Sequence, residues 1–317
     1  MSLKQSFVGA VACVALASAA QAADMQAVLK APGAVDQQAT GYVEVYSGWA
    51  GTRSSDTFCN RIECFTDSFR GDGWALGGAG RANYWITREV SVQVDAQAEG
   101  TSYSSSDGHF STHDYLVGGH WSWRSPQEHL FGLFAAAGDA GGDGFTSSQR
   151  HGLIGAEAQW YWHQFTLYAQ GGYDTTLGKV SFGTDSVNAW FLRGTGRYFV
   201  NPNFLIEGTV LYANGHIDFN TGDPSTSFQT WTWGAKAEWR FPTAPFSVFA
   251  KYQGSQTRFG NLDFFGDTGA KTTDNRVLLG LKLHMGERTL QQTDRTGATL
   301  DVVSPLANPA SPLMFGP

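Results

Sequence analysis

The chain has 317 residues, 15% of them charged and 14% aromatic, with 39 glycines, 11 tryptophans and a net charge of −7. An average soluble protein is about 25% charged and about 7% glycine. The aromatics exclude a disordered chain and the absence of a glycine period of three excludes collagen. A mean hydropathy of −0.24 argues against a bundle of membrane helices, and the acidic balance argues against nucleic acid as a partner. Few charges with many aromatics and glycines fit an all-β fold, a transmembrane antiparallel up-and-down β-barrel.

In chain order, Lys4 precedes an apolar run, Phe7–Ala20, and a small-x-small site, Ala20-Gln21-Ala22. This predicts a cleaved secretory signal peptide over 1–22. The run is shorter than the roughly 20 residues a membrane span needs. Cys13 lacks the leucine three residues before it that a lipoprotein signal would carry, and the apolar run continues past it. Residues 23–40 lack periodicity and read as a periplasmic linker. Cys59 and Cys64, a near pair in an oxidising compartment, are expected to form a disulfide.

From Gly41 the pattern alternates with period two. Val90, Val92, Val94, Ala96 and Ala98 interleave with Ser91, Gln93, Asp95, Gln97 and Glu99, and Trp231, Trp233, Ala235, Ala237 and Trp239 interleave with Thr232, Gly234, Lys236 and Glu238. Twelve strands are predicted, near 41–51, 73–86, 89–104, 113–124, 129–138, 150–162, 165–175, 186–200, 203–219, 229–241, 246–258 and 275–286. The fifth fits least well, because Leu130–Ala137 is apolar on both faces. Connections alternate between short turns and longer Gly-, Ser-, Asp- and Thr-rich loops at 52–72, 105–112, 139–149, 176–185, 220–228 and 259–274, as in bacterial outer-membrane barrels. An even strand count puts both termini in the periplasm, including a tail over 287–317.

A lipocalin-like soluble barrel shares this alternation. The aromatics decide against it: Trp85, Trp121, Trp123, Trp160, Trp162, Tyr198, Trp239 and Phe241 fall towards strand ends, as in lipid-interface girdles. With these features the chain resembles the outer-membrane β-barrel proteins of Gram-negative bacteria over residues 41–286. Its mature start, Ala23-Asp24-Met25 followed by Lys30-Ala31-Pro32, resembles that of the small porin-like proteins of rhizobia and their relatives. Those relatives usually have eight strands and end on an aromatic residue. Here the last strand carries Gly280-Leu281-Lys282-Leu283-His284-Met285 and a tail follows. The tail is expected in the periplasm, where it could fold against the barrel mouth. The resemblance implies contact with outer-membrane lipids and lipopolysaccharide.

Twelve strands about 4.8 Å apart and tilted by about 40° enclose a backbone diameter of roughly 24 Å, narrowed to ~10 Å by side chains. The polar face should line this interior. Acids predominate on early strands (Glu44, Asp95, Glu99, Glu157) and bases on later ones (Arg193, Arg197, Lys236, Arg240, Lys251, Arg276, Lys282). Arg81, Glu207 and Glu238 break the division. Opposed walls would set a field across a pore for small solutes or ions. Salt-bridged walls would instead seal it. The preferred reading is a porin-like channel for passive diffusion of small hydrophilic solutes. The alternative is a non-conducting barrel with a structural role or a surface-interaction role through aromatic outer loops, with Phe58, Phe65 and Phe69 in one and Phe259, Phe264 and Phe265 in another.

No enzyme is expected. His120-Trp121-Ser122 could pair a base with a nucleophile, but both should face inward, whereas barrel phospholipases place theirs towards lipid. Asp107 with His109, His113 with Asp114 and His216 with Asp218 are rim near-pairs of the kind an omptin-like protease needs. Asp139 and Asp143 offer calcium-type oxygens without a closing Glu. No metal site and no cofactor is implied.

Overall fold

The computed structural model describes residues 38–59, 64–106, 108–142, 149–177, 184–219, 225–260 and 270–304. The signal peptide, most of the linker, the loop positions Asp107, Asp143, Phe264 and Phe265, and the end of the tail lie outside them. Among the described residues twelve strands form one closed antiparallel barrel: β1 (Ala39–Cys59), β2 (Cys64–Trp85), β3 (Val90–Ser105), β4 (Gly108–Ser125), β5 (His129–Gly142), β6 (Gln149–Trp162), β7 (Phe165–Thr176), β8 (Thr184–Asn201), β9 (Phe204–Phe219), β10 (Thr226–Arg240), β11 (Phe246–Phe259) and β12 (Lys271–Met285). Each strand pairs with its sequence neighbour, and β1 closes on β12 with Gly41 opposite Met285 and Ser55 opposite Lys271.

The alternation expected from the sequence is borne out across the sheet. Val94, Leu133, Ile154, Leu167, Leu192 and Leu279 point outward and are 57–66% exposed. A soluble barrel would bury them; here they make an apolar belt for lipid. Trp121, Trp123, Trp160, Trp162 and Trp239 also face out, at 42–70%. No described helix is long and apolar enough to cross a membrane; the crossing elements are strands.

Three expectations are corrected. First, the connections expected at 52–72 and 105–112 are mostly strand. β1 and β2 continue as a hairpin until Cys59 stands opposite Cys64, and β3 and β4 continue until Ser105 stands opposite Gly108. Outside the membrane neither face of a ribbon need be apolar, so the backbone ladder continues after the alternation ends. Second, Trp85 is not a girdle residue. It shares the inward face with Asn83 and Arg81, is 2% exposed, and donates its indole N–H to Thr296 O at 2.8 Å. Third, the tail enters the barrel over 287–304 instead of lying outside its mouth, because carbonyls, acids and apolar side chains there match unsatisfied groups on the inner wall.

The tail begins with a single helix, α1 (Leu290–Thr296). Thr289 caps it, its side chain accepting from Gln292 N–H at 3.1 Å. Leu290 packs on Phe199 and Leu205. The turn after β6 presents the His163 carbonyl to Gln291 Nε2 (3.0 Å) and to Arg295. His163 does so from the left-handed region, φ 51°, which costs a non-glycine residue about 1 kcal/mol. From Gly297 the chain climbs extended through the lumen. Leu300 joins Leu130, Tyr161 and Tyr168, while Val302 and Val303 join Leu116, Phe134, Leu153, Phe191, Leu211 and Ala213. The apolarity of β5 on both faces is thereby explained: Phe131 and Leu133 meet lipid, and Leu130 and Phe134 meet the tail.

Burying an unpaired charge in the Val302 cluster costs several kcal/mol. Val302→Asp should therefore release the tail while the strands hold. The check is trypsin followed by mass spectrometry: the bond after Arg295 resists in the folded wild type and is cut in Val302→Asp.

Candidate functional site

The site is the interior surface. Its polar side chains come from alternate positions of every strand, and the tail divides them into a tail-covered half on β2–β8 and a hollow half on β8–β12 with β1.

On the covered half the tail binds mainly through its backbone and the acids Asp294 and Asp301. Arg124, fully buried, donates to Gly297 O at 2.9 Å and Asn83 Oδ1 at 3.1 Å, with its guanidinium 5.1 Å from the Trp85 ring. Gln93 bonds Leu300 both ways, 2.7 Å to the carbonyl and 3.2 Å from the N–H. Asp294 accepts from Arg197 at 2.7 Å and from the Thr166 hydroxyl at 2.6 Å. Asp301 is bound by Arg193 and lies 3.7 Å from Arg81, and its carbonyl accepts from Gln170 at 2.9 Å. The interior is therefore ion-paired through the tail, and the opposed charged walls expected from the sequence do not face each other across an open gap.

The remaining expected lumen charges all face inward and are mostly paired. Arg81 lies 3.8 Å from Asp95, and Arg276 binds Glu99. Arg197 also bonds Glu207 at 2.9 Å. Lys236 lies 3.6 Å from Glu207 and 3.4 Å from Glu238, and Lys282 lies 3.1 Å from both Glu44 and Glu238. Arg240 donates to Glu287 O at 2.6 Å. Lys251 has no such partner among the described residues. A cavity of ≈ 390 Å³ runs along this half. On β12 its wall extends from His284 and Lys282 to Thr272, nearly the whole strand.

Sequence reasoning did not place Asp274, Asp294 and Asp301 on the lumen wall and put Asp114 at the rim with His113; all four line the same cavity. Asp274 fell in an expected loop because β12 starts at Lys271. The tail acids were placed outside the barrel.

His120 sits with Nδ1 2.7 Å from Glu157 and Nε2 3.1 Å from Asp95. Both ring nitrogens are thus engaged by carboxylates, an arrangement suited to a ring that donates twice. Ser122 bonds Ser91 at 2.9 Å and receives Arg124 at 3.3 Å. The base–nucleophile pair considered from the sequence does not form, and His120 acts as a buried strut. At the rim, His216 lies 3.7 Å from Asp218, His113 pairs with Asp139 at 3.7 Å, and His109 bonds Ser104 at 2.9 Å. Among the described residues no group of three or more His, Cys, Asp or Glu is placed to hold a metal. The side chains of Cys59 and Cys64 lie outside the described residues.

The barrel is similar to an outer membrane channel from Pseudomonas putida F1, with 13% identity, a TM-score of 0.54, and 81% of this chain and all of that one covered. It also overlaps the outer membrane protease OmpT from Escherichia coli (8% identity, TM-score 0.40, covering 82% of this chain and 100% of that one). A third is a Pseudomonas aeruginosa FadL homologue (9%, TM-score 0.44, 78% and 90%). No family model matches the sequence, and no curated protein matches it. The fold thus defines the class: a transmembrane β-barrel of the bacterial outer-membrane type.

Glu287, at the start of the tail, is 5% exposed, and burial raises its pKa from the usual 4.5 to about 7. A raised carboxyl favours the docked state while protonated. Its contribution is full below 4.5 and is lost as pH rises through about 7. Amide exchange at Thr293 and Gly297, whose N–H groups close α1, should accelerate beyond its intrinsic pH dependence over that range. Glu287→Gln should abolish the excess.

Proposed function

We propose that this protein is a non-enzymatic outer-membrane channel for passive diffusion of small hydrophilic solutes, narrowed by its own C-terminal segment. The observation that carries the reading is the polar cavity along β9–β12, continuous from the Lys282 end to the Thr272 end beside the docked tail. A barrel built only as a scaffold has no need of such a groove; apolar side chains would fill it at less cost than buried ion pairs. The likeness to the Pseudomonas putida channel agrees in architecture, and the resemblance of the mature start to rhizobial porin-like proteins points the same way. The lumen charges would then set selectivity, and lipopolysaccharide would surround the outer rim.

The same reading includes a Cys59–Cys64 disulfide at the tip of the β1–β2 hairpin. Directly opposed residues of an antiparallel pair lie about 4.5–5.5 Å apart at Cα, within disulfide range. Unreduced tryptic mapping, which cuts between them at Arg61, should recover the two peptides linked.

Planar-bilayer recording tests the channel itself. The wild type should give discrete steps of low conductance. Removing one partner of a buried pair costs about 3 kcal/mol, so Asp301→Ala should loosen the tail and raise the step size or the open time. Silence from both proteins, each verified as folded by heat-modified gel mobility, would contradict a diffusion channel.

A further inference from the structure

Lys251 stands apart from every other cation on the cavity. Arg81, Arg193, Arg197, Lys236, Arg276 and Lys282 each have a carboxylate partner. Lys251 projects from the inward face of β11 into the same cavity and has no hydrogen bond or ion pair among the described residues. Its neighbours across the ladders are Lys236 on β10 and Leu278 on β12. Lys236 is neutralised by Glu207 and Glu238; Leu278 supplies no acceptor. Two further carboxylates on the cavity take hydroxyl partners, Asp114 from Ser304 and Asp274 from Thr52 and Ser255, and Lys251 acts on Asp114 only through space, without an ion pair.

The wall beside Lys251 is equally incomplete. Gln253 is the next inward residue on β11 and faces Gly234 on β10. Gly234 contributes no side chain and Thr209 Cγ2 closes over it, 3.2 Å from where a Cβ would stand; Lys236 and Thr232 flank it on the cavity surface. Neither the Gln253 amide nor the Thr232 hydroxyl has a hydrogen-bond partner among the described residues. This stretch of the cavity wall therefore offers one ammonium, one amide and one hydroxyl without partners among the described residues, within a few residues of ladder. Elsewhere on the same wall, hydroxyls satisfy one another: Thr195 with Thr209 at 2.8 Å, Thr230 with Thr257 at 2.9 Å. A desolvated lysine left without an acceptor is costly, and water in an open channel relieves that cost only until a better anion arrives.

We propose that Lys251, Gln253 and Thr232, on the cavity wall beside Gly234, form a binding subsite for a small hydroxylated carboxylate. The carboxylate accepts from Lys251, and the ligand's hydroxyls engage Gln253 and Thr232. A carboxylate suits a single point cation, whereas a phosphate dianion would call for the second charge that Lys236 has already committed. The proposal rests on the channel reading and specifies which solute class the lumen favours.

Gluconate is the probe and glucose its uncharged counterpart, titrated calorimetrically into the full-length protein in detergent at low salt. Gluconate should bind, with glucose at least tenfold weaker, since a charge-assisted hydrogen bond is lost. Lys251→Gln should weaken gluconate about tenfold or more while leaving glucose unaltered, and Lys251→Arg should retain binding. Thr232→Val should weaken both ligands. Lys251→Gln is nearly isosteric, and its heat-modified gel mobility confirms the barrel. Equal affinity of wild type and Lys251→Gln for gluconate, or no preference of the wild type for gluconate over glucose, would overturn the subsite. Lys251-dependent binding in a barrel that is silent in bilayers would sink the channel and keep the subsite. A conducting barrel whose gluconate affinity ignores Lys251 would do the reverse.

Discussion

A charge that faces the inside of a membrane barrel must meet water or a counter-charge. In this barrel much of the counter-charge comes from the chain's own C-terminal segment. Asp301 sits against Arg193 and Arg81, and Asp294 against Arg197. Without them, the guanidinium groups of β2 and β8 would crowd one lumen with too few acceptors. The rest of the tail follows from where those two acids must sit. Leu300 falls between them into the Leu130 and Tyr168 cluster, and Val302 and Val303 follow Asp301 onto Phe134 and Phe191.

That docking also decides what remains open. The tail covers β2–β8 and reaches Leu205 and Leu211 on β9, where inward leucines and phenylalanines receive it. It leaves most of the wall of β10–β12, where threonines, lysines and acids face the cavity. The closed and hollow halves are thus two sequence patterns on one barrel, apolar inward residues on one side and hydroxyls with paired ions on the other. A barrel so built has one lumen wall of strands and one of docked tail. The tail is held by ion pairs, carbonyl contacts and one helix of about two turns at the mouth, which are local interactions that can open without unzipping a strand.

The barrel was largely legible in the sequence because lipid enforces alternation. Strand number, pairing order and the short-turn end all followed from period two and the connections. Strand ends beyond the membrane were not legible, since no solvent contrast acts on the two faces of the hairpins ending at Cys59 and Ser105. The inward position of the named charges was also readable, but their partners were not: pairing across a lumen depends on side chains brought together by closure, such as Arg276 with Glu99. The tail left two traces that parity alone could have exposed. Trp85 shares its face with Arg81 and Asn83, so it could not be a lipid-facing girdle residue. Leu116, Leu130, Phe134, Leu153, Phe191 and Leu211 all occupy positions of the polar face, a contradiction that only an apolar guest in the lumen resolves.

The most direct test of tail insertion is a cross-link. A Cβ added at Gly118 on β4 would lie 2.8 Å from Val302 Cγ1, which puts the two Cβ atoms near the 3.5–4.5 Å that a disulfide needs. In a background carrying Cys59→Ser and Cys64→Ser, the pair Gly118→Cys and Val302→Cys should oxidise without added catalyst in the folded protein and remain reduced after Asp301→Ala releases the tail. Two free thiols in the folded, otherwise unmodified barrel would contradict a tail seated in the lumen.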